Sequence, residues 1–122
     1  MRTVEVPREE WPRALDQFTA IHQGWVVSLD VLGSDIGAQP EITGLPLIGV
    51  TADPHREPGN ITISAARAAN EHVTHIIEAP EHLYIERTDE GADAALEIEA
   101  RDGTKNILRF RATALPETVN GR

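Results

Sequence analysis

Cysteine is absent from the 122 residues, which excludes disulfides, thiolate metal sites and thiol nucleophiles at once. Aromatic side chains are scarce: two Trp, two Phe and one Tyr leave no evident platform on which sugars or bases would stack. Basic residues are outnumbered, 11 Lys and Arg against 20 Asp and Glu, for a net charge of −9 with histidine neutral. Such a surface repels phosphate backbones, so no nucleic-acid partner is expected; basic partners or plain solubility fit better. No apolar run approaches the roughly 20 residues that span a bilayer, and the first ten residues hold no apolar core of signal-peptide length. The expectation is a cytoplasmic protein with no membrane partner. At this length the chain reads as one domain, 1–122, able to bury a core without staples.

What is present most clearly is a β-hairpin. Leu96, Ile98, Leu108 and Phe110 alternate with other residues on either side of Asp102-Gly103, and strict alternation marks half-buried strands. A two-residue Asp102-Gly103 loop would set Leu96 opposite Arg109 and Glu97 opposite Leu108, a charge against an apolar side chain each time. A three-residue loop, Arg101-Asp102-Gly103, sets Leu96 opposite Leu108 inside and Glu99 opposite Lys105 outside. It also puts Gly103 at the left-handed position of a type I turn plus bulge, where the missing Cβ removes the steric penalty. Because a one-residue slip flips every side chain to the other face, the three-residue loop is the expected one.

Upstream, residues 8–23 read as one helix. Trp11, Leu15, Phe18 and Ile21 form its apolar stripe, Pro12 is tolerable only in the first turn, and Gly24 stops it. A strand follows from Trp25 to Leu32, with Trp25, Val27, Leu29 and Val31 on one face. Residues 33–40 read as a loop. Residues 42–53 hold a strand whose first half Pro46 demotes to an edge or a bulge. Residues 53–60, with two prolines and a glycine, make a connector and the first choice for a flexible loop. Further strands lie near 60–66, 73–78 and 82–87, with 67–71 ambiguous and a polar turn at 88–93. The β region spans about 25–112 and the tail after 116 is expected to fray. The architecture expected is mainly β, of the α+β kind. An N-terminal helix packs on a strongly curled, mostly antiparallel sheet or small barrel of six to seven strands.

Catalytic constellations are weak. Ser28 and Ser64 lack a nucleophile elbow. Gly33-Ser34-Asp35-Ile36-Gly37 faintly echoes a phosphate loop, but Pro40 and Gly44 follow where a helix would have to begin. Glu97 and Glu99 project together, yet onto the water face, where they ionise and pair with Arg109 and Arg111 at small gain. His72 and His75 would share a side on a helix; on a strand they point to opposite faces, which disfavours joint metal binding. His55, with Asp53 beside it, approaches from the connector. Trp11 and Trp25 sit on apolar periodic faces and read as core. No catalytic residue, metal site or cofactor is expected. The candidates for ligand binding are Asp35, Asp53, His55 and His75.

Several phrases have a family look: Glu10-Trp11-Pro12, Gly24-Trp25, Leu32-Gly33-Ser34-Asp35-Ile36-Gly37-Ala38-Gln39, Leu45-Pro46-Leu47, Val73-Thr74-His75, and Glu90-Gly91-Ala92-Asp93-Ala94-Ala95-Leu96-Glu97-Ile98-Glu99. Over nearly the whole chain they resemble a family of small bacterial proteins known only as a domain of unknown function. The resemblance implies a stand-alone domain and brings no catalytic residue, cofactor or substrate. The leading expectation is a non-catalytic protein-binding or self-assembly module, its partner another protein or a second copy joined through open sheet edges as a homodimer. The rival is a small enzyme or ligand-binding domain using the 33–39 and 53–60 loops. The register argument carries its own test. Gly103→Val lowers the thermal midpoint, because a β-branched residue resists positive φ; an unchanged melt would remove the three-residue loop.

Overall fold

The computed structural model describes residues 2–33, 37–53 and 59–110. Helix α1 runs Trp11–His22 after a single 3-10 turn at Arg8–Glu10, with Pro12 in its first turn. There the missing N–H of proline has no helical partner to lose. The chain leaves the helix through Gly24, whose φ of 90° only glycine adopts freely.

Eight antiparallel strands form the sheet: β1 (Arg2–Glu5), β2 (Val26–Gly33), β3 (Gly37–Ala52), β4 (Ile61–Ala68), β5 (Glu71–Ile77), β6 (Pro80–Arg87), β7 (Asp93–Ala100) and β8 (Lys105–Phe110). Their order is β1-β6-β7-β8-β2-β3-β4-β5. The strand beyond the expected seven is β1, which among the described residues pairs with β6 alone, Val4 opposite Ile85. The β7–β8 register is the expected one, with Leu96 opposite Leu108 and Glu99 opposite Lys105. Gly103 closes the loop at φ 91°, donating to the Ala100 carbonyl. Residues 37–40 are strand rather than loop, because the β2–β3 ladder continues to Gly33 opposite Gly37. The ambiguous stretch 67–71 resolves into the end of β4, a turn and the start of β5. Expectations for residues 34–36, the connector 54–58, Arg111 and the tail after 116 lie outside the described residues.

The curl follows from one short connection. Strands β5 and β6 stand six places apart in the order, about 29 Å in a flat sheet at about 4.8 Å per strand. Only Glu78 and Ala79 join them, and three Cα steps reach about 11 Å. The sheet therefore rolls until β5 meets the β7–β8 hairpin, where His75 of β5 lies 2.9 Å from Asn106 of β8, and Arg101 N–H donates to the Ala79 carbonyl in continuation of the β6–β7 ladder. The roll is strong but does not close. Ala79 takes the turn at φ 51° despite its Cβ.

Long β3 makes the corner. Its first part pairs with β2 as far as Pro46, and its second part, from Leu47, pairs with β4. Pro46 thus sits in the half whose far side β4 does not cover, as its missing N–H requires. Past the corner, Val50 no longer has β2 beside it. The Thr19 hydroxyl of α1 takes that place, accepting from Val50 N–H at 2.9 Å and donating to Val50 O at 3.0 Å. Gly49 lets the helix this close, since a Cβ there would lie 3.1 Å from Thr19 Cγ2. Helix α1 so fills the concave side, burying Trp11, Leu15 and Phe18 against Leu29, Val50 and Leu108 among others.

Thr19→Ala leaves the Val50 N–H and C=O without their partner, and a loss of about 1–3 kcal/mol is expected in urea denaturation. Gly49→Ala destabilises the wild type but is better tolerated beside Thr19→Ser, which keeps the hydroxyl and deletes Cγ2. Strict additivity of the Gly49→Ala and Thr19→Ser effects would contradict this contact.

Candidate functional site

The apolar stripe of α1 does not end as its spacing suggests. Ile21 is 63 % exposed, whereas His22 is buried at 2 %. At about 100° per residue, position 22 lies near the middle of the face set by Trp11, Leu15 and Phe18, and position 21 about 90° to one side. The histidine is consequently core and the isoleucine is surface. Its signal in the sequence was the spacing from Leu15 and Phe18, overridden by the greater hydrophobicity of Ile21.

Beside this face runs a groove of about 320 Å³ between α1 and the β1–β6 edge. Val4 and Ile85, paired across the two strands, form one wall, and Ala14, Phe18 and Ile21 form the other. Val6, Pro7 and Glu10 border it on the side of the strand-to-helix corner, which the Trp11 indole N–H pins by donating to Val6 O at 2.9 Å. Arg87 and Asp93 also line it. Val4 is 38 % exposed there, unusual for a valine on the inner side of a strand. Among the described residues lining the groove there is no hydroxyl nucleophile.

Behind Asp93 sits the buried histidine. A backbone carbonyl only accepts, so His22 Nδ1–H donates to Phe18 O, at 2.8 Å. That bond aims Nε2 at Asp93 Oδ2, 3.5 Å away, while Asp93 Oδ1 accepts from Arg87 Nε at 3.0 Å. Phe18, Trp25 and Phe110 enclose the ring, with Phe110 stacked on it at 4.5 Å between centroids. Trp25 is not core as its periodicity implied; it is 40 % exposed, its edge over His22 and Phe110. The reason is its place one residue ahead of β2, where the sheet no longer covers it.

On the other face of β1, Glu5 accepts from His82 at 2.8 Å, and Tyr84 stacks beside that ring. The Glu5 hydrogen bond raises the His82 pKa above the ordinary imidazole value, helped by the charges of Glu5, Glu99 and Glu81 against a smaller desolvation effect. Desolvation first, then Glu5, Glu99 and Glu97, pushes the Tyr84 phenol up. Glu97 and Glu99 are half-exposed, but Arg109 does not join them. Register sets Ala95 opposite Arg109, which pairs instead with Asp30 at 3.2 Å.

Of the nominated ligand residues, Asp35 and His55 lie outside the described residues. The described stems of their loops, Gly33 with Gly37 and Ala52 with Ile61, stand at the two ends of sixteen-residue β3. Asp53 sits at the second of these ends, its N–H donating to Asn60 O. His75 lies in β5, opposite Ile63, half-buried on the inner side, while His72 is exposed. Its partner is Asn106, whose Oδ1 lies 2.9 Å from His75 Nε2. Sequence reasoning missed Asn106, although its alternation with Leu108 and Phe110 placed a polar group on the core face. Among the described residues no three His, Asp or Glu side chains are grouped to hold a metal ion, and no helix is long and apolar enough to cross a membrane.

Comparison with known proteins gives a family and no activity. Residues 2–118 match a family described as "Family of unknown function (DUF5335)". An uncharacterized protein of Aquifex aeolicus (strain VF5) is 31% identical over 118 residues, covering 96% of this chain and 100% of that one. No solved structure matches.

The His82–Glu5 pair makes the docking of β1 pH-dependent. Because the folded pKa of His82 is raised, the pair contributes fully below the unfolded value of about 6.5 and is lost as pH rises through the folded pKa. Amide protection factors of Val4 and Val6, whose N–H groups face β6, are expected to fall over that window. Glu5→Gln removes the dependence and brings the His82 NMR titration midpoint down. An unmoved midpoint in the variant would show that Glu5 is not the cause.

Proposed function

We propose that this chain, which belongs to the DUF5335 family of unknown function, is a non-catalytic protein-binding module of the bacterial cytoplasm. Its occupant is an extended segment of a partner protein that adds beside β1 and sets alternate apolar side chains into the α1–β1 groove. The observation that carries the reading is the pair of exposed apolar walls, Ile21 and Val4, facing one groove next to β1, beyond which no strand lies among the described residues. An unpaired edge strand offers main-chain donors and acceptors in register, and a neighbouring apolar groove supplies side-chain selectivity. Charge gives the partner its sign. Glu10 borders the groove, where Arg87 is already paired with Asp93, on a chain of net charge −9, so the segment carries Lys or Arg between its apolar residues. A second copy is the other occupant to consider, favoured by β5, the opposite edge strand among the described residues, where Ile76 is exposed.

Selection of a random peptide library on the purified chain tests this. Enriched peptides are expected to alternate apolar residues with Lys or Arg, to shift amide resonances of β1 and α1, and to bind Ile21→Asp about tenfold more weakly, or about 1.4 kcal/mol. The melting temperature of that variant stays within a degree or so, since the side chain is on the surface. Peptides that bind Ile21→Asp and Val4→Asp as well as wild type would end the groove reading. A native mass at twice the chain mass would transfer it to a second copy.

A further inference from the structure

The roll of the sheet makes a second concavity, at the opposite seam from the groove. Where β5 meets the β7–β8 hairpin there is a cavity of about 250 Å³. Ile77, Ala100 and Asn106 are its buried lining, His75 stands half-buried beside them, and Glu78 and Asp102 are exposed at its border.

The hydrogen bonds fix the state of the imidazole. The Ile98 carbonyl only accepts, so the Asn106 group 3.2 Å from it is the amide nitrogen, Nδ2. Oδ1 of the same side chain then faces His75 Nε2 at 2.9 Å, and it too only accepts. Nε2 therefore carries the proton, and in the neutral ring Nδ1 keeps its lone pair. Asn106 is 2 % exposed on the face it shares with Leu108. A buried amide there costs desolvation that a leucine would not, and places where a sequence breaks its own core pattern are where functional constraints concentrate. Ligating and catalytic histidines are oriented in this way, by a partner on the far nitrogen.

We propose that this seam binds a small organic cation carrying N–H donors on an apolar stem, a primary ammonium or a guanidinium. Its lining offers acceptors in the carboxylates of Glu78 and Asp102 and in Nδ1 of His75, the ring nitrogen that Asn106 does not engage. Backbone N–H of Thr104 holds the Asp102 carboxyl below its usual range, so it stays anionic. Ile77 and Ala100 receive the stem. Among the described residues no three His, Asp or Glu side chains are grouped to hold a metal ion. The proposed cationic group occurs on free amines and on lysine or arginine side chains.

The test is long-range 1H–15N NMR of the full chain titrated with n-butylammonium. Before addition, His75 is expected to show the Nε2–H form. On addition its Nδ1 resonance and the Ala100 and Thr104 amides shift and saturate, whereas neutral butanol and anionic butyrate leave them in place. Glu78→Gln and Asp102→Asn, both exposed, weaken binding about two- to fivefold each, the size of a surface charge contact. Asn106→Leu releases the ring and abolishes the Nδ1 response; Asn106→Asp, which keeps an acceptor, serves if the leucine variant does not fold. Blocked lysine amide binding more tightly than butylammonium assigns the cation to a protein side chain, and the reverse order assigns a free amine. An Nδ1–H ring at the outset, or equal shifts from butyrate, overturns the proposal.

Discussion

Two residues, Glu78 and Ala79, set the shape of the molecule. They must join the last strand of an eight-strand sheet to the second, and no flat sheet allows that at their length. Rolling is the only solution. Once β5 is folded round to the hairpin, the inner faces of β4, β7 and β8 look at one another across a common interior. Leu96, Ile98, Leu108, Ile61 and Ile63 then form a single core. The left-handed alanine and the His75–Asn106 contact are local consequences of the same geometric demand.

A rolled but open sheet still needs a filler, and α1 supplies it. Contact with β3 at Thr19 and Gly49 is polar and close rather than greasy and loose. That fixes the rotation of the helix about its own axis. Rotation in turn decides which side chains the solvent meets: His22 turns inward among Phe18, Trp25 and Phe110, and Ile21 turns out beside Val4. The groove exists because the helix is docked toward β3, leaving the β1–β6 side incompletely covered. Position and composition of the site thus descend from one hydroxyl and one missing Cβ.

Legibility in the sequence follows the range of the interactions. The β7–β8 register was readable because pairs and turn lie within sixteen residues and only one alignment satisfies both faces. The helix was readable from its stripe and Gly24. What escaped depends on distant partners. Four residues of β1 have no pattern of their own and become a strand only against β6, some eighty positions on. Residues 37–40 look like a loop until the β2 ladder extends them. His22 and Asn106 were hidden for a further reason. Hydropathy counts both as surface residues, while Phe18 O, Asp93, Ile98 O and His75, which make their burial tolerable, come from separate parts of the chain. Of the four nominated ligand residues, Asp35 and His55 lie outside the described residues, and His75 meets Asn106, which was not nominated.

The pairing of β1 has a consequence in time. Synthesis delivers Arg2–Glu5 before α1, yet the strand that pairs with it among the described residues ends at Arg87. About eighty residues must therefore be made after β1 before it has a strand to dock on. Until then the wall that Val4 contributes is missing and the flank of α1 carrying Ile21 has no sheet edge beside it. The groove is completed only once β6 has been made and β1 has paired with it, so an earlier nascent chain does not present it.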